Sequence, residues 1–141
     1  MVELLAAAVV LVLVILAGFH AYWALAGGSG NLPVIPEVDG VAVFRPGAAA
    51  TWTVAALLLV AALIVGQHGG IGPAFVPARL AHWGTYAVAL AFLARAIGDF
   101  RFVGFTKRVR GTRFSDLDTR LLSPLCACIG AASAAIAMAA G

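Results

Sequence analysis

The sequence predicts an all-α polytopic membrane protein, a four-transmembrane-helix bundle, and three observations carry that prediction. Four apolar runs are each long enough, or nearly long enough, to cross a bilayer. Only 11% of the 141 residues are charged, against 63% hydrophobic, where a soluble domain carries about 25% charged residues; so little charge cannot cover a globule in water. The charge is also concentrated. Arg95 to Cys128 holds seven of the nine Lys/Arg residues, three of the six Asp/Glu residues and both cysteines. The chain therefore reads as one membrane domain, residues 1–141, with a polar hub at 95–128. Basic charge beside a span meets phospholipid head groups, so membrane lipids are the expected partners and nucleic acid is not.

The first span is Leu4 to Ala26, 23 residues without a charge. A secretory signal competes with it, since Ala24-Leu25-Ala26 has small residues at cleavage spacing. However, Met1-Val2-Glu3 carries no Lys or Arg, and the apolar run is too long for a signal core. Tyr22 and Trp23 suit the interface. His20 is an ionisable group at a depth where such groups face the bundle interior and pair.

Gly27 to Gly47 reads as an irregular connection, because Pro33, Pro36 and Pro46 forbid regular helix. It lacks the spacing of a phosphate-binding loop. Its two acids, Glu37 and Asp39, share a membrane face with the basic residues of the longer loop. An ion pair from them to Arg101, Lys107 or Arg108 is expected to close that face. Gly47 to Gly66 is the second span, uncharged and lined with Ala, Leu and Val. His68 follows it in a short turn and reads as a solvated loop histidine.

Between Arg79 and Arg95 lie only 15 uncharged residues, about 22 Å of helix at 1.5 Å per residue, short of the ~30 Å hydrocarbon core. The third span, 79–98, must therefore take in one of these arginines. Arg79 can snorkel outward, so Arg95 is the one drawn in. A buried guanidinium needs an acid; Asp99 is one turn on, while Asp118 and His20 are candidates from neighbouring helices. Ser115-Asp116-Leu117-Asp118 gives a weak capping-box signal before the last apolar run, and Ser123-Pro124 a second start, with Ser at the N-cap and Pro at the first helical position. The fourth span, 121–140, is placed at Ser123, and an earlier start would be kinked at Pro124. Ala127, Ala131, Ala135 and Ala139 recur every four residues, as do Cys126, Gly130 and Ala134. Such faces pack closely in lipid and offer a surface for homo- or hetero-oligomers.

The first and third connections carry Arg45, Arg101, Lys107, Arg108, Arg110, Arg113 and Arg120, against Arg79 on the other face. Short basic loops stay in the cytoplasm, which predicts a cytoplasmic hub and both termini outside. The expected site is a cytoplasm-facing pocket of His20, Tyr22, Trp23, Arg95, Asp99, Asp118 and Cys126 holding the anionic head group of a lipid or amphiphile. An enzyme of isomerase or reductase type, with His20 and Asp99 or Asp118 as acid and base, is the alternative, and a structural subunit of a larger complex is a third. Three scattered histidines predict no metal site. Cys126 and Cys128 lack the Cys-x-x-Cys redox spacing and read as small apolar packing residues, and no motif calls for a cofactor.

The stretches His20-Ala21-Tyr22-Trp23-Ala24-Leu25-Ala26-Gly27-Gly28, Arg95 to Phe105, Phe114 to Thr119 and Ser123-Pro124-Leu125-Cys126 together resemble a family of small bacterial four-span membrane proteins catalogued as a domain of unknown function. The resemblance covers essentially the whole chain. It implies a four-helix fold in a bacterial plasma membrane and brings no activity, substrate or catalytic residue.

Overall fold

The computed structural model describes residues 1–28 and 32–140. Helix α1 runs Val2–Ala26, where Glu3 is the only charge. Gly27 ends it in the left-handed conformation at φ 75, and the Gly27 and Gly28 N–H groups both return to the Trp23 carbonyl. This is the glycine cap that satisfies the orphan carbonyls of a helix end.

The connection to the second span is more ordered than its prolines suggest. Strands β1 (Glu37–Val38) and β2 (Val41–Ala42) pair antiparallel. Asp39 and Gly40 turn between them, both at positive φ. Asp-Gly is a strong short-range hairpin signal, because a two-residue turn needs positive φ at both central positions. Asp39 is thus a turn residue rather than an ion-pair partner. Its neighbour Glu37 accepts a hydrogen bond from the Arg113 backbone N–H at 3.1 Å, so the two connections do meet, but through the backbone. The expected ion pair between them is not formed: among the described residues both ion pairs involve Asp118.

Helix α2 covers Ala48–His68 and α3 covers Ala78–Ile97. Gln67 organises the turn between them. Its amide nitrogen donates to the Val76 carbonyl, and its oxygen accepts from the Phe75 and Val76 N–H groups. The last span starts earlier than Ser123. A short helix α4, Arg113–Leu117, opens on a Thr112–Ser115 capping box and runs through a π-helical turn, Asp118–Leu122, into α5, Ser123–Ala139. Pro124 has no N–H to give the preceding turn. The wider turn absorbs this break: Ser123 N–H donates to the Asp118 carbonyl, five residues back.

Among the described residues four helices, taking α4 to α5 as one, are long and apolar enough to cross a membrane; the chain is a multi-pass membrane protein. α1 packs along α2 and α3 along α5, while α2–α3 and α1–α5 contacts close the bundle. Its centre is Ala6, Val9, Leu13, Ala62, Val65, Ile129 and Ile136. Leu4, Leu11, Leu57, Leu90 and Met138 point outward, the distribution required when the solvent is lipid. Glycines set the close approaches: a Cβ on Gly84 would press on Ile64, and one on Gly130 on Leu93. Small residues at helix contacts are the usual means of tight packing in lipid.

Candidate functional site

The polar centre of the molecule is Asp118, fully buried at 0% exposure. Oδ1 accepts from Arg95 Nη2 at 2.7 Å. Oδ2 accepts from the Gly104 N–H at 2.8 Å, Lys107 Nζ at 2.9 Å and Ser123 Oγ at 3.0 Å. A carboxylate offers about four lone-pair directions; four donors converge on this one, three at Oδ2 and one at Oδ1. The π turn contributes directly, because it brings Asp118 and Ser123, five residues apart, onto one side of the helix. Inserted π turns recur at functional positions.

Lys107 is 2% exposed and also donates to the Gly104 carbonyl at 2.9 Å. It was expected to reach Glu37 or Asp39 across the loop surface; instead the loop folds it inward. The loop can do so because Asp99 gathers its start. One Asp99 oxygen accepts from the Arg101, Phe102 and Val103 N–H groups at 2.9, 2.7 and 3.0 Å. Beyond that turn the chain passes back over the end of α3. Phe105 N–H donates to Ala96, and Thr106 donates to Ile97 through both N–H and hydroxyl. The returning strand of loop thereby caps α3. Arg101 stays outside, its guanidinium 4.8 Å from the Phe102 ring centre.

Asp99 is therefore not the partner of Arg95; it orders the backbone. Burial pushes its carboxyl up, but the N–H groups of Val103, Arg101 and Phe102 outweigh this and hold it below the ordinary carboxylate value. Its folded pKa is thus lower than its unfolded one, so the unfolded chain binds more protons through that interval. The resulting stabilisation is fully present above the unfolded value of about 3.9 and lost as pH falls through the folded value. Asp99→Ala is expected to lose stability at neutral pH and to show a shallower acid dependence below about pH 4 than the parent, measured by thermal unfolding in detergent.

Arg95 is one-third exposed and only half used. Nη2 holds Asp118, whereas Nη1 is buried without a hydrogen-bond partner among the described residues. Cys126 lies on α5 within electrostatic reach of Arg95 and Asp118. The cluster pairs two cations, Arg95 and Lys107, with one carboxylate, leaving a net charge of +1.

The rest of the expected pocket is placed elsewhere. His20 gives Nδ1 to the Leu16 carbonyl at 2.8 Å and packs edge-on against Trp23. Both line a cleft of about 900 Å³ between the end of α1, the β-hairpin and the start of α2, with Arg45 and Thr51. Arg95, Asp99, Asp118 and Cys126 do not line that cleft. Tyr22 points outward, 65% exposed. The structure thus brings together three of the seven expected residues, Arg95, Asp118 and Cys126. To these it adds Lys107, Gly104 and Ser123, which the sequence alone did not place in the site. Of the small-residue faces, Gly130 is buried against α3 while Ala131, Ala135 and Ala139 face outward.

At the opposite end of the bundle, His68 and His82 meet, with Nε2 and Nδ1 3.4 Å apart. His68 is therefore not a solitary loop histidine. No group of three His, Cys, Asp or Glu suited to a metal occurs among the described residues.

A family model described as "Protein of unknown function (DUF3995)" matches residues 13–133. No curated protein and no solved structure matches the chain.

Proposed function

The chain belongs to this family of unknown function, and from its own geometry we propose that it is a membrane-embedded binding module. In this reading Arg95 anchors the anionic head group of a lipid or other amphiphile. The observation that carries this is Arg95 Nη1, a charged donor buried without a partner among the described residues, beside a cluster of net positive charge. A buried unsatisfied donor costs about 1–3 kcal/mol, more when charged. An anionic oxygen would remove that cost, and a guanidinium offers phosphate a planar pair of donors. Asp118 fixes the guanidinium by its other nitrogen, so the second donor is held in place before any ligand arrives. The enzymatic reading draws no comparable support: Asp118 is held by four donors, and His20 lines a cleft that neither Asp99 nor Asp118 lines.

The hub faces the cytoplasm in this proposal, since Arg45, Arg101, Arg108, Arg110, Arg113 and Arg120 lie at its end of the bundle and basic loops resist export. Both termini are then outside. A carboxy-terminal alkaline phosphatase fusion should be active, and a fusion active only as a cytoplasmic reporter would reverse the orientation.

Two substitutions test the anchor. Arg95→Lys keeps a cation for Asp118 but removes the second planar donor; Arg95→Gln removes both. By native mass spectrometry from nanodiscs, the parent should retain phosphatidylglycerol over phosphatidylcholine. Both variants should lose that preference by roughly tenfold or more, the equivalent of one charge-assisted hydrogen bond. Inorganic phosphate competing as well as the lipid would identify a free anion as the ligand and overturn the lipid assignment. Parent-like retention by both variants would overturn the anchor itself.

A further inference from the structure

We propose that the His68–His82 pair is a binding site for a divalent late first-row transition metal such as Zn²⁺, Ni²⁺ or Cu²⁺, separate from the Arg95 hub and at the other end of the bundle. The two nitrogens are 3.4 Å apart, beyond the usual 2.7–3.2 Å range of a nitrogen-donor hydrogen bond. That separation fits metal ligation better. Two imidazole nitrogens bound at 2.0–2.1 Å in tetrahedral geometry stand about 3.3 Å apart, with ring centres about 5 Å apart. The ring centres here are 5.1 Å apart, with planes inclined at 70°, so both distances match without moving a helix.

The pair is also held in place. α2 and α3 meet closely where Gly84 faces Ile64, one helical turn before His68 and two residues after His82. The Gln67 side chain ties the intervening turn to Phe75 and Val76. His82 is braced edge-on by Trp83 at 5.4 Å and Tyr86 at 5.1 Å between ring centres. Imidazole nitrogen suits these borderline ions and offers nothing particular to Mg²⁺ or Ca²⁺. Because the protein supplies two ligands, the remaining positions are open to water or to a second molecule, as in a metal-capture or catalytic centre rather than a closed structural one.

The test uses tag-free protein in nanodiscs titrated with Cu²⁺. Pulsed electron paramagnetic resonance of the parent should count two equatorial imidazoles on one bound ion. His68→Gln and His82→Gln should each reduce that count to one. Each should also weaken binding by more than the roughly 10–100-fold that loss of a mere supporting group costs. His20→Gln, which removes the histidine of the other end, should bind as the parent does. A parent spectrum with one imidazole or none would overturn the proposal without reference to any variant. So would parent-like Cu²⁺ affinity in both His68→Gln and His82→Gln.

Discussion

Asp118→Ala should be the most damaging single substitution in the hub, lowering stability in detergent by about 3–5 kcal/mol, the usual cost of removing one partner from a buried ion pair. The carboxylate receives Arg95, Lys107, Ser123 and the Gly104 N–H. Without it, Lys107 remains 2% exposed with a charge opposed only by the Gly104 carbonyl. The loop must open to hydrate that charge, and opening it strips the caps that Phe105 and Thr106 provide for α3. Two measurements check this account. Chemical unfolding should report the stability loss, and protease susceptibility should rise first within residues 98–112. Lys107→Met in the Asp118→Ala background should recover part of the loss, since it removes the stranded charge. If the double variant is less stable than Asp118→Ala by the full cost of a second independent lesion, the two side chains are not coupled.

Gly104→Ala should follow closely, for a different reason. Gly104 has φ +83, and a Cβ there would overlap the Ile97 carbonyl and the Gly98 backbone. The left-handed conformation alone costs an alanine about 1–2 kcal/mol. The overlap adds to it, because backbone cannot rotate away as a side-chain tip can. Moving Gly104 also withdraws its N–H from Asp118, so the lesion spreads into the charge cluster. Gly111→Ala supplies a matched control: φ is +78 and no described residue lies within 4 Å of the added carbon. It should show the conformational cost alone. Equal unfolding midpoints for the two variants would mean that the crossing of the loop over Ile97 and Gly98 does not hold the hub together.

How far the sequence reached can be seen residue by residue. That Arg95 belongs to the third helix and pairs with an acid was legible, because the 15 uncharged residues before it are too few to span a bilayer. Its partner was not, because one-turn spacing favours Asp99 and only the path of the loop decides between two nearby acids. The β-hairpin was written in Asp39-Gly40, a turn signal obscured by the surrounding prolines. The early start of the last span was harder to see. Thr112 and Ser115 make a capping box without the usual acidic third residue, and the π turn hides the join to α5. Lys107 carried no signal, since a lysine within a run of Arg and Phe reads as surface charge. His68 and His82 looked unrelated because 14 positions and a turn separate them; the Gly84–Ile64 approach is what joins them.

What the sequence determined by itself was the solvent and the architecture. Apolar runs of bilayer length must form helices, because hydrocarbon offers backbone groups no other hydrogen-bond partner, and that requirement is local to each run. What only the tertiary structure decided was which polar groups meet. Arg95, Lys107, Asp118 and Ser123 come from a helix end, a loop and a π turn. Their pairing depends on glycine-permitted backbone crossings and on the extra residue that the π turn takes into the helix, neither of which any spacing in the chain encodes.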